Sequence, residues 1–288
     1  MKKRTVILLC VAALCGAIWF ILGGYVSPGE PVWQGKKLSQ WLIECKSDDP
    51  HDLTESAQKA IRAMGTNALP YLLTMVGNTD SSAKLHLRAW AGKGSIFRPI
   101  IRQWTPTHYV SRISASAGFE ALGKEAAPAA SELIKLLNDE QTSYPAALAL
   151  SAIGQPAVPL LVQTLTNRSA WTRMGVVQAL NFMHGAEEAI PDLLRCLDDP
   201  EPGVREEAAI ALGDMRKQPD RVVPKLMERL ADTNSSVRAD AAIGLGLFES
   251  QARMAVPKLM ELQNDSNAEV RQQATIALKK TSAMSTNQ

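Results

Sequence analysis

The stretch from Val204 to Gly213 reads VREEAAIALG; thirty-three residues later VRADAAIGLG starts at Val237, and thirty-three after that VRQQATIALK starts at Val270. A chain that repeats one short amphipathic segment at a fixed interval is constrained before any other feature is considered. Each copy carries one apolar stripe that it cannot bury alone, so the copies must stack and form a continuous core between neighbours.

The prolines give the ruler. Pro128, Pro159, Pro191, Pro224 and Pro257 are each preceded by an aliphatic residue or alanine. Eight residues after the last four come Asn167, Asp199, Asp232 and Asp265, and fourteen after come Arg173, Arg205, Arg238 and Arg271. Proline fits the first turn of a helix, where its missing N–H removes no hydrogen bond. The short Asp or Asn side chain closes that helix and caps the turn. A second helix then opens on Val-Arg and continues through small residues such as Ala208-Ala209 and Ala241-Ala242, which let neighbours approach closely. A weaker copy stands earlier: Met64 to Pro70 matches Ile153 to Pro159, with Asn78 eight and Lys84 fourteen after Pro70.

Proline in the first helix, aspartate in the turn and Val-Arg opening the second resemble HEAT repeats of bacterial type. The period is shorter than the usual one and is similar to that of the HEAT-like repeats of phycobilin lyases. The resemblance covers roughly 125–282. It implies an all-α fold, a right-handed α-solenoid of about seven antiparallel helix pairs. It also implies a structural ladder in which the turn acids Asp199, Asp232 and Asp265 pair with Arg173, Arg205, Arg238 and Arg271 between adjacent units.

The organisation predicted along the chain begins with a basic cytoplasmic region, 1–4. An apolar run over 5–24 is long enough to cross a bilayer core and lacks an A-x-A site, so it reads as a transmembrane or signal-anchor helix. The bases Lys2, Lys3 and Arg4 hold the N-terminus in the cytoplasm and send the rest to the periplasmic side; secretion after cleavage is the alternative. A proline-rich linker follows over 25–35. Degenerate helix pairs occupy 36–123, with an insertion near 90–112, then regular repeats fill 124–282 and a disordered tail 283–288.

No catalytic apparatus can be drawn. The four cysteines form no C-x-x-C, the four histidines no H-E-x-x-H, and glycine motifs for phosphates are absent. We therefore expect no enzyme, no metal and no cofactor. Cys196 reads as a half-buried thiol. A ladder whose charges cancel is a poor footprint for nucleic acid, so none is expected as partner.

Two places remain for recognition. After each Val-Arg the residues differ, as in Glu206-Glu207, Asp240 and Gln272-Gln273, while the frame is constant; this suits a variable face that meets proteins. Between Asp80 and Glu120 there is no acid, and bases including Arg88, Arg98 and Arg102 alternate with aromatics such as Trp104. That segment, 84–112, suits anionic lipid or an acidic ligand. The leading expectation is a membrane-anchored, non-enzymatic scaffold that binds protein partners through its curved helical face. Anionic lipid or ligand binding at 84–112 is the alternative, and a HEAT-like tetrapyrrole lyase or chaperone a further one.

Overall fold

A computed structural model describes residues 29–47, 49, 51–79, 109–183 and 185–282. The predicted span 5–24, the tail 283–288, and Lys84, Arg88, Arg98, Arg102 and Trp104 lie outside the described residues. No single helix among the described residues is long and apolar enough to cross a membrane. The chain divides into two compact units, one ending at Ala121 and the other starting at Leu122.

The first unit opens on a hairpin. β1 (Val32–Trp33) pairs antiparallel with β2 (Lys36–Lys37) around Gln34 and Gly35, both at positive φ, which the tight two-residue turn requires. The predicted linker 25–35 therefore stops short: its last residues are a strand and turn, because Trp33 packs edge-on against Trp41 with ring centroids 5.6 Å apart. The first of the helix pairs expected over 36–123 opens on a single turn, α1 (Leu38–Trp41), after which Cys45 bridges to Leu53. α2 (Glu55–Met64) is capped by the Thr54 hydroxyl, which accepts from the Ala57 N–H. Gly65, at φ +56, ends it, and α3 (Leu69–Gly77) starts with Pro70 in its first turn.

α4 (Tyr109–Leu122) completes this unit. Gly118 sits where α4 meets α3, since a Cβ there would lie 2.6 Å from Leu72 Cδ2. The insertion expected near 90–112 thus ends before Tyr109, and Arg112 is a buried helix residue, 4% exposed. Its Nη1 donates to the Asn78 carbonyl at 2.7 Å.

In the second unit five helix pairs follow one another. Their first helices are α5 (Ala130–Leu136), α7 (Val158–Thr164), α9 (Ile190–Cys196), α11 (Pro219–Arg229) and α13 (Val256–Glu261). Their second helices are α6 (Ser143–Ile153), α8 (Ala170–Phe182), α10 (Pro202–Met215), α12 (Ser235–Leu247) and α14 (Ala268–Ser282). A 3-10 turn leads into α5, α7, α9 and α13, just ahead of or across the ruler prolines. The first helices bury Leu133, Leu161, Leu193, Leu226 and Leu259. The second helices bury Val176, Val204, Val237 and Val270, with the alanines that follow them. Side chains of this size, each fully removed from water, stabilise by about 1.5–3 kcal/mol each for the larger aliphatics.

The second helices lie close. A Cβ on Gly213 of α10 would stand 2.5 Å from the Gly244 Cα of α12, and one on Gly244 would stand 2.9 Å from the Ala209 carbonyl oxygen. Glycine is needed at that crossing for space; neither residue is at positive φ.

Candidate interaction face on the second helices

The turn residue of each regular pair aims its side chain forward. Asn167, Asp199, Asp232 and Asp265 each accept from the N–H two residues on, at 2.8–2.9 Å. This fixes the carboxylates where the arginine of the preceding pair can reach. Arg173 donates through Nε and Nη2 to both Asp199 oxygens at 2.7 and 2.6 Å. Arg205 does the same to Asp232 at 2.9 and 2.8 Å, and Arg238 to Asp265 at 2.9 Å twice. Such paired, charge-assisted bonds are the strong kind, and these ion pairs are largely shielded from solvent.

The third nitrogen of each guanidinium points the other way. Nη1 of Arg173, Arg205, Arg238 and Arg271 donates to the carbonyl six residues before it, at 2.7–2.9 Å. Each arginine thus closes its own helix pair, and three of them also bind the next. Burial pushes the Asp232 carboxyl up, but the Arg205 and Asn234 hydrogen bonds and nearby guanidinium charges outweigh it and hold it below the usual carboxylate range. The hydrogen bond from Arg238 holds Asp265 low as well. Fourteen residues after Pro128, where the later units have arginine, Thr142 donates its hydroxyl to the Leu136 carbonyl at 2.6 Å.

With the arginines turned to the turns, the residues beside them form a different surface. Glu206 and Glu207 of α10 and Asp240 of α12 are half-buried, as is Gln273 of α14, while Gln272 is exposed. Burial pushes Asp240 up to about 7, with the charges of Glu206, Glu207 and Glu269 adding to it. Burial also raises Glu207, together with the Glu206 charge, against a 2.7 Å hydrogen bond from Gln178 Nε2 that lowers it. Among the described residues no base makes an ion pair with Glu206, Glu207, Asp240 or Glu269; Gln273 Nε2 donates to Glu269 at 2.6 Å. One turn further along, Ile210 and Ile243 are half-buried and Ile276 is 40% exposed. An aliphatic row therefore runs beside a row of carboxylates.

Gln178, Glu269 and the three isoleucines were not among the residues expected here. Four of them share one column, Gln178, Ile210, Ile243 and Ile276 each standing five after the ladder arginine, whereas Glu269 stands in a column with Trp171, Gly203 and Ser236 and carries no such signal. Cys196 is buried rather than half-buried, and burial, followed by the charges of Asp199 and Asp192, pushes its thiol up to about 12. His51 is half-buried, its Nδ1 3.6 Å from Glu120 Oε2, beside a shallow hollow lined also by Gln58 and Arg62. The other histidines lie outside the described residues. Among the described residues no group of His, Cys, Asp and Glu has the arrangement to hold a metal ion.

The chain is similar to several solved structures. Kap121p is 16% identical, with 87% of this chain and 38% of that chain covered and a TM-score of 0.51. Phycocyanin lyase CpcE and CpcF from Nostoc sp. PCC7120 is 23% identical over 52% of this chain and 98% of that one, with a TM-score of 0.47. A designed armadillo repeat protein in complex with the peptide (KR)4 is 22% identical over 74% and 99%, with a TM-score of 0.44. No curated protein matches the sequence. The family model of HEAT repeats matches three overlapping stretches, 130–213, 158–246 and 223–286, which together span more than half of the chain: it belongs to the HEAT-repeat family.

Proposed function

We propose that this chain is a non-enzymatic scaffold, held at a membrane by residues 5–24, that binds protein partners along the face of its second helices. One observation carries the reading. Glu206, Glu207 and Asp240 are gathered half-buried on α10 and α12 with no base against them, although like charges so placed weaken the fold. The ladder arginines are committed to the turns, so no ion pair ties these acids into the stack, and Glu207 alone of the three accepts from a neighbouring second helix, from Gln178 of α8. Carboxylates beside an aliphatic row are what a docking face offers to a segment bearing both bases and apolar side chains. The apolar run and its three leading bases support the anchor, with the repeats on the periplasmic side.

The test is affinity capture of the full-length protein from detergent-solubilised native membranes after brief crosslinking. Wild type is compared with Glu206→Gln/Glu207→Gln/Asp240→Asn. The reading predicts an abundant partner that crosslinks to α10, α12 or α14 and is lost with the triple variant. The same partner recovered equally with both proteins would refute it.

A further inference from the structure

Among the described residues, the pair α13–α14 leaves open the columns that the inner pairs bury. Arg173, Arg205 and Arg238 have side chains 10%, 11% and 14% exposed, whereas Arg271 is an exposed residue. Three after the ruler proline, Val162, Leu194 and Met227 are half-buried, but Met260 is 57% exposed. Ile276 is likewise more open than Ile210 and Ile243. Repeat arrays ordinarily end on a polar outer face.

Arg271 is nonetheless held as the others are. Its Nη1 donates to the carbonyls of Asp265 and Ser266 at 2.7 and 2.9 Å, which is how Arg173, Arg205 and Arg238 are oriented before their Nε and Nη2 take an aspartate. Among the described residues no carboxylate accepts from the Nε or Nη2 of Arg271. The guanidinium is a fork set in place for two parallel bonds, and the molecule shows three times what belongs in it.

A second column adds to this. Eight after the ladder arginine stand Gly213 and Gly246, where the next helix comes into contact; in the last pair the residue is Lys279. A polar residue in this column has a precedent, since Asn181 of α8 donates to Asp214 of α10 at 3.4 Å. With Lys280 next to it and Glu269 opposing, α14 carries a net charge of +2, from Arg271, Lys279 and Lys280 against Glu269.

We propose that the open side of α13 and α14 is a docking surface for an acidic helix pair that extends the stack. Its occupant carries one carboxylate in the turn between its helices, for Arg271, and another toward the end of its second helix, for Lys279. Apolar side chains between them cover Met260 and Ile276. This surface is the open side of α13 and α14, separate from the face that carries Glu206 and Asp240, so either assignment can fail without the other.

The pair α9–α10 has this arrangement, with Asp199 in its turn and Asp214 on its second helix, and it serves as the probe. The full chain is extended after Lys280, in register, by a copy of residues 183–215, and amide hydrogen exchange is followed across α14. The inference predicts that exchange over 270–280 slows by about tenfold in the extended chain. Arg271→Ala, or Asp199→Ala within the copy, should each remove that protection, and the two together should remove no more than either alone. Unchanged exchange in α14, or protection that survives Arg271→Ala, would overturn it. Hydrogen exchange of the copy itself reports whether it has folded: a copy that exchanges as an open chain also counts against the surface.

Discussion

Arg112 in the first unit and Arg205 in the second do the same thing across very different lengths of chain. Each sends Nη1 to a turn carbonyl of its own helix pair, Arg112 to Asn78 thirty-four residues away and Arg205 to Asp199 six residues away. The regular units add a second bond, from Nε and Nη2 to the aspartate of the following pair. Arg271 closes its own pair in the same way with no aspartate accepting from its Nε or Nη2 among the described residues, so closing a pair and joining one pair to the next are separable jobs of one guanidinium. The closing bond is made whether six or thirty-four residues separate the turn carbonyl from the arginine.

The largest effect expected from breaking this comparison lies where pair joins pair. Arg205→Ala removes the two guanidinium hydrogen bonds to the half-buried Asp232, leaving it Arg229 at 3.9 Å, and should cost about 3 kcal/mol in urea unfolding, in the range for breaking a shielded ion pair. Arg271→Ala, which removes only exposed bonds to carbonyls, should cost no more than about 0.5 kcal/mol. Equal costs for the two would show that the carboxylate adds nothing. At the close crossing, Gly213→Leu should cost roughly 3 kcal/mol, since the side chain would meet the α12 backbone. Gly185→Leu meets only a side-chain nitrogen 3.7 Å away, but it stands at φ +87 and so costs about 1 kcal/mol through backbone strain.

Smaller and opposite in sign is the effect at Asp240. Its folded-state carboxyl titrates near 7, above the ordinary value, so the folded chain binds the proton more tightly than the unfolded chain. Stability from this residue is present at acid pH and is lost as pH rises through the window up to about 7. Asp240→Asn should then stabilise the protein by roughly 1 kcal/mol at pH 8, allowing for solvent screening, and change little at pH 4. Asp232 and Asp265 act in reverse: their carboxyls are held low, so their contribution is lost as the solution is acidified. Urea midpoints of Asp240→Asn and wild type across pH 4–8 check this, and a difference independent of pH would contradict it. The smallest expected effect is chemical. Cys196, buried and pushed up to about 12, should resist iodoacetamide at pH 8 in the folded protein and react once it is unfolded.

How far the sequence could be read follows from what each feature depends on. The ruler prolines, the turn acids and the ladder arginines repeat at fixed distances, so counting reaches both partners of the three ion pairs Arg173–Asp199, Arg205–Asp232 and Arg238–Asp265, while the fourth arginine, Arg271, meets only carbonyls. Counting failed at Pro70, where the fourteenth residue is Lys84 while the arginine that meets the Asn78 carbonyl is Arg112. The count presumed a constant loop, whereas the contact is set by where α4 packs on α3. The hairpin at Val32–Lys37 was missed because Gln34-Gly35 signals a turn as readily in a linker as between strands, and only Trp33 against Trp41 decides. Glu206, Glu207 and Asp240 were picked out by their variability along the repeat. That Asp240 is pressed by acids of two neighbouring helices depends on distances between elements, which no spacing within one helix reveals.

The central claim is that the second helices form the surface that meets a partner. Amide hydrogen exchange of the full-length protein, alone and with the partner recovered by crosslinking, tests it most directly. The account predicts slowed exchange in α10, α12 and α14 around Glu206, Asp240 and Gln273, with α7, α9 and α11 unchanged. Slowed exchange confined to those first helices would contradict it.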